Sequence, residues 1–284
     1  MKKMKKILVL ALAVLMVASL CACGGDKPAE NKYGTIEAGK LIVATSPDYA
    51  PYEFYALDEK GTPSLAGFDM ALAEYIAKEL GLELEVVPMD FNGILGEMAA
   101  GTADLAIAGL SPDPDRQTAM DFSDIYYDGK QAFVTTKAMA DKFSDLASTN
   151  NAQFSIAAQT GTIQEELATQ YSPDADYVSL PTATDIIGEL LAGQLDGAYI
   201  EWDVAVAYQA NYPDLVIVCE VPYDAEGNVI GVAKGNAALL EAVNAALNKC
   251  VDSGTFAQYV ADALDLAAGA TANYVEGEGI VPNE

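Results

Sequence analysis

Residues 41–110, LIVATSPDYAPYEFYALDEKGTPSLAGFDMALAEYIAKELGLELEVVPMDFNGILGEMAAGTADLAIAGL, carry the reading of the fold. LIVATS at the start is a short, β-branched apolar run, the pattern of a buried strand. Residues 67–81 switch to a helical period. Phe68, Leu72 and Ile76 fall on one stripe, Asp69 stands where a cap can form, and Gly81 ends the run. Residues 82–89 predict a second strand, 91–101 a short helix and 104–110 a third strand. Strand, helix and strand in alternation predict an α/β domain with a largely parallel sheet.

Downstream the rhythm repeats. QAFVTTK (131–137) predicts a strand leading out of the first unit. Strands follow at 154–158, 176–180, 195–200 and 215–221, with helices at 163–170, 182–193 and 203–210 between them. VIGVAKGN (229–236) predicts a return strand, and two helices, 237–250 and 254–267, close the fold. The expected organisation is two α/β lobes joined by two extended crossings. Lobe one takes 41–132 and 229–284, with a loose tail after 268, and lobe two takes 133–228. A chain that leaves a lobe and returns leaves a cleft between rigid bodies, where small molecules bind and hinge closure occurs.

Upstream, MKKMKK is a positive leader and residues 7–20 are nearly all apolar. That run is short for a bilayer span of about 20 residues and suits a signal peptide, expected over 1–22. Leu20-Cys21-Ala22-Cys23 resembles a bacterial lipoprotein signal, which implies cleavage before Cys23 and a diacylglycerol on its sulfur. Acyl chains hold a protein on a membrane by burying methylenes, at about 0.8 kcal/mol each. Residues 23–40 lack an apolar period and read as a flexible tether.

The chain has 284 residues, a formal net charge of −27 and no histidine. So acidic a surface repels nucleic acid. The missing histidine excludes Ser-His-Asp and Cys-His catalysis and His-ligated metals. Beyond the leader, Cys219 and Cys250 could form a disulfide, but two thiols that do not meet are favoured.

SPDYAPYEF, AGFDMALAEYIAKELG and MDFNGILGEMAAGTADLAIAGLSPDPDRQTAMDFSDIYY closely resemble the polar amino-acid solute-binding proteins of ABC importers. AQTGT, DGAYIE and LLEAVNAALNKCVDSGTFAQYV extend the resemblance in order over nearly the whole mature chain. It implies the type II periplasmic-binding fold, a free amino acid as ligand, an ABC permease as partner, no cofactor and a monomer.

It also implies a site. A free amino acid brings a carboxylate and an ammonium, and both must be paired once water is expelled. For the carboxylate the resemblance points to Arg116, whose planar fork can give two parallel N–H bonds. Ser111 adds an amide and a hydroxyl. Thr162 and the amide of Ile163 sit at a helix start, where free N–H groups favour an anion. For the ammonium it points to Glu201 and the carbonyl of Gly109. Tyr49 and Phe91 wall the pocket. Each has a plainer reading: an exposed ion pair for Arg116, helix caps for Ser111, Thr162 and Glu201, core packing for the aromatics.

Selectivity turns on Ser46 and Asp48. Relatives that hold a basic side chain often carry an acid where Ser46 stands, which favours a polar uncharged, glutamine-like ligand, with a basic amino acid next because Asp48 or Glu53 could supply a carboxylate. The expected function is capture by lobe closure for import, outside the cytoplasm and tethered by lipid. The alternatives are a cyclohexadienyl-dehydratase-like enzyme on the same fold and an amino-acid sensor domain.

Overall fold

The computed structural model describes residues 31–224, 227–269, 271–275 and 279–282. The signal peptide, Cys23 and the first part of the expected tether lie outside the described residues.

The first sheet forms where the sequence predicts it. β1 (Lys40–Thr45) pairs in parallel with β5 (Glu83–Pro88) and with β6 (Leu105–Ala106). Helix α1 (Phe68–Leu80) lies between β1 and β5 in sequence and α2 (Phe91–Ala100) between β5 and β6. The stripe of Phe68, Leu72 and Ile76 is fully buried, so its apolar face drives docking of α1. Gly81 ends α1 in the left-handed region, as expected. Asp69, however, is no cap. It is fully buried and its Oδ2 accepts from the Gly109 amide at 2.8 Å and the Tyr126 hydroxyl at 2.9 Å.

From β7 (Met120–Phe122), at the first sheet's edge, the chain crosses to β8 (Gln131–Thr136) in a second sheet. That sheet therefore begins two residues before the boundary expected from sequence. Its order is β10-β9-β11-β8-β12, built from β9 (Ser155–Gln159), β10 (Asp176–Leu180), β11 (Gly197–Glu201) and β12 (Leu215–Val221). β9, β10 and β11 run parallel, with β8 antiparallel to β11 and β12. Helices α3 (Ile163–Tyr171), α4 (Ala183–Leu191) and α5 (Trp202–Asn211) connect these strands. After β12 the chain returns to the first sheet as β13 (Gly231–Ala233). The crossings pair with each other: the Tyr126 amide donates to Asn228 O at 2.9 Å and the Asn228 amide to Tyr127 O at 2.7 Å. Two such strands form a hinge.

Helices α6 (Ala237–Asp252) and α7 (Thr255–Ala267) close the first lobe. Of the segment after 268, expected to be loose, the described residues 271–275 and 279–282 are paired as strands. β14 (Thr271–Val275) adds to β3 (Glu53–Leu57) and hairpins to β15 (Gly279–Pro282), while β2 (Asp48–Tyr49) and β4 (Pro63–Ala66) take β3's other pairings. An open edge on β3 offers unpaired backbone groups, and the tail satisfies them.

The end of the expected tether is also docked. Thr35 is buried and its amide donates to Asn31 Oδ1 at 2.9 Å. Buried Asp104 accepts from the amides of Ile36 at 2.8 Å and Ile42 at 2.9 Å, fixing this turn to β1. Both Cys219 and Cys250 are free; one lies on β12 and the other inside α6.

Candidate functional site

The cleft between the two sheets is lined by Ser46, Asp48, Tyr49, Glu53, Phe91, Ala108, Gly109, Ser111, Arg116, Gln159, Thr162, Ile163 and Gln164. The first nine come from the first lobe and the last four from the second. Each has a local reason to be there.

Arg116 sits in a 3-10 turn, Pro114–Thr118, capped by Asp113, which accepts from the Asp115 amide at 2.7 Å. The turn points the chain's one arginine inward, leaving it 8% exposed. Its Nη1 donates to Ser111 O at 3.0 Å and Nη2 to Gly161 O at 3.1 Å. The guanidinium carbon lies 5.3 Å from the Phe91 ring centroid, within cation–π range. No carboxylate pairs with Arg116 among the described residues. Burial lowers its pKa, and the charges of Asp113 and Glu166 act against that. A guanidinium has five N–H donors, and two are used here. The other three leave the guanidinium able to donate further.

Facing it is the start of α3. Gly161 turns at φ +77°, in the left-handed region that glycine favours, and Thr162 is the N-cap in extended conformation. The Thr162 hydroxyl donates back to Gln159 O at 2.7 Å and so caps nothing. The Glu165 amide donates to Thr162 O at 3.2 Å, while the amides of Ile163 and Gln164, both on the cleft wall, have no capping side chain, and uncapped helix-start amides are the arrangement that binds carboxylates.

The strand end 108–111 is pinned from both sides. Gly109, at φ +55°, gives its amide to Asp69 and receives Asn228 Nδ2 on its carbonyl at 2.7 Å. A carbonyl oxygen has two lone pairs, so one remains for a ligand.

Glu53 is 1% exposed, lines the cleft, and neither of its carboxyl oxygens receives a hydrogen bond from a protein donor. Asp69 Oδ1 is likewise unpartnered. The two carboxyls are neighbours, so they satisfy each other only by sharing a proton. Burial, then the charges of Asp69 and Asp48, pushes Glu53 well above the usual carboxylate range, and burial raises Asp69 to about 6. Asp48 is raised to about 6, again by burial first, although Ser46 and the Ala183 amide hydrogen-bond it.

Glu201 is 2% exposed and stands beside Tyr49 of the cleft wall. It is the N-cap of α5: Oε2 accepts the Val204 amide at 2.9 Å and Oε1 the Lys130 amide at 3.3 Å. The first turn of α5 has free donors, and a carboxylate one residue before it satisfies them. Burial raises this carboxyl to about 8.

Sequence reasoning missed Gln159 and Gln164. Gln164 Nε2 donates to the Tyr49 hydroxyl at 3.1 Å and to Gln131 Oε1 at 2.7 Å, and so fixes the aromatic wall. A glutamine in the first turn of a helix carries no signal that sets it apart from a surface residue.

Two α/β lobes, a paired hinge and a cleft holding an unpaired guanidinium opposite a helix start define a solute-binding protein of the type II periplasmic fold. The chain belongs to the bacterial extracellular solute-binding proteins, family 3, whose profile matches residues 41–263. It is an amino-acid-binding, extracytoplasmic protein that works with an ABC transporter. It is similar to the arginine-binding extracellular protein ArtP of Bacillus subtilis, 31% identical over 88% of this chain and 94% of that one. A Streptococcus pneumoniae amino acid ABC transporter substrate-binding protein, solved bound to L-arginine, matches with TM-score 0.77 and 33% identity over 81% of this chain and 96% of that one. An ancestral arginine-binding protein, solved bound to arginine and also to glutamine, matches with TM-score 0.72 and 32% identity over 79% and 97% of the two chains.

Proposed function

We propose that the ligand is a basic amino acid, arginine before the others. The observation that carries this is Glu53, a buried cleft carboxyl without a donor. A cationic side chain supplies the donor and the charge that Glu53 lacks, and an acidic ligand would only add repulsion. Arg116 and the α3 amides take the ligand carboxylate. Gly109 O and Ser111 take the ammonium, with Glu201 close by behind Tyr49 and ionising as the ammonium arrives. Tyr49 and Phe91 cover the chain of methylenes between. This reverses the glutamine-like preference that Ser46 suggested, because the acid comes from β3 instead of the end of β1. The basic ligands named for the relatives support the same choice.

Glutamine is the second reading, favoured by the proton that Glu53 holds: a protonated carboxyl can pair an amide without giving it up. The reaction class is capture and release, not catalysis. Cys23 carries the lipid that holds the protein at the membrane, and a monomer presents the closed lobes to the permease.

A thermal-shift screen of residues 24–284 against the twenty amino acids tests the reading. A ligand that binds only the native state raises the melting temperature. Arginine is expected to give the largest rise. A largest rise with glutamate or aspartate would overturn the assignment.

A further inference from the structure

Asp48 lines the cleft, yet its acceptor sites are mostly taken by protein donors, two of them on the cleft wall and two beyond it. Asp48 Oδ1 accepts the Ser46 hydroxyl at 2.7 Å. Asp48 Oδ2 accepts the Ala183 amide at 2.6 Å and Gln159 Nε2 at 3.2 Å. Its backbone carbonyl accepts the Tyr208 hydroxyl at 3.1 Å. Three of these four donors belong to the second lobe. A carboxylate has about four acceptor sites, and Asp48 has used three, against none for Glu53.

The chief partner is a helix start. Ala183 is the first residue of α4, whose N-cap Thr182 accepts the Asp185 amide at 3.0 Å. The Ala183 amide is left over by that cap, and Asp48 reaches it from the other lobe. A carboxylate there also meets the positive end of the helix dipole.

We infer that Asp48 is a lobe-to-lobe latch that favours the closed form for every ligand alike, and not a carboxylate that selects a basic side chain. This deepens the transport reading above and rests on it. Affinity scales with the fraction of protein that is competent to hold the ligand closed, so weakening the latch lowers all affinities by one factor. Removing a contact with the ligand's cationic tip would penalise basic ligands alone.

The test uses residues 24–284 carrying Asp48→Ala, titrated calorimetrically with arginine and with glutamine, and small-angle scattering of the unliganded protein. The latch predicts a loss of about tenfold for each ligand that the unsubstituted protein binds, the size of one charge-assisted hydrogen bond. It also predicts a larger radius of gyration without ligand. Ala183→Pro gives a second route. Proline is tolerated at the first helical position and Thr182 at φ −129° and ψ 150° already has the backbone it requires, so the substitution removes the donor at the cost of added ring atoms at a buried position, which an unfolding curve of the variant checks. It should reproduce the Asp48→Ala effect, and the double variant should add little. Loss confined to arginine, or unchanged affinities with an unchanged radius, would overturn the latch. A protein that binds neither arginine nor glutamine contradicts the ligand assignment above, and the unliganded scattering then still decides the latch.

Discussion

The guanidinium of Arg116, carried by the first lobe, donates to the carbonyl of Gly161 in the second at 3.1 Å. The residue expected to hold the ligand's carboxylate thus also ties the lobes together. It can do both because its donors diverge: Nη1 and Nη2 each give one hydrogen to a carbonyl and keep others for a ligand. Lysine has the charge without the fork. Arg116→Lys is therefore expected to weaken every amino-acid ligand by about 10- to 100-fold, read by calorimetric titration. Unaltered affinity would show that the fork is not used.

Glu53→Gln separates charge from shape. The variant should lose about 2 kcal/mol or more of arginine affinity and keep or gain affinity for glutamine. Capture of a cation also forces Glu53 to ionise, so arginine binding near pH 7 should release about one proton. Titrations in buffers of different ionisation enthalpy measure that release. It should vanish in Glu53→Gln.

Stability should fall as pH rises. Burial, first in each case, pushes Glu53 well above the usual range, Glu201 to about 8, and Asp48 and Asp69 to about 6. Below the ordinary carboxylate range both folded and unfolded chains carry these protons, and the groups make no difference. As pH rises, the unfolded chain releases its protons first, and the folded state loses ground until its own groups titrate. The melting temperature of the unliganded protein should therefore be highest near pH 5 and decline toward pH 8, with Glu201→Gln flattening the upper part. Scanning calorimetry checks this, and a melting temperature that climbs over that range would contradict it.

Asp104 should matter for the fold and not for the ligand. It accepts two amides, Ile36 and Ile42, that tie residues 31–39 to β1. Asp104→Ala strands both donors at a cost of about 2–4 kcal/mol. Urea unfolding reads the loss, and arginine affinity should hold while the protein is folded.

Much of this was legible in the sequence. The α1 stripe, its glycine stop and the strand–helix alternation reported burial that recurs at fixed spacing, and spacing survives in a string of letters. The resemblance brought Arg116, Ser111, Thr162 and Ile163 to one cleft. What failed depended on direction. Asp69 looked like a cap but faces the core, and Glu201 takes the helix cap that was its plainer reading, because an acid beside a helix start can turn either way. The strands at 271–275 and 279–282 and residues 31–39 look polar and unpatterned, and they dock through their own backbone groups, on a sheet edge and on the Asp104 carboxylate, which leave no trace in composition. Glu53 became the central acid only when its two oxygens were found without a donor.

Titration of residues 24–284 with arginine, alone and with Arg116→Ala, addresses the central claim most directly. Two lobes grip one amino acid through the guanidinium of Arg116 and the amides opposite it. The account predicts clear binding for the unsubstituted protein and none detectable for Arg116→Ala, which still unfolds in one cooperative transition. Arginine binding of equal strength in the two proteins would contradict it.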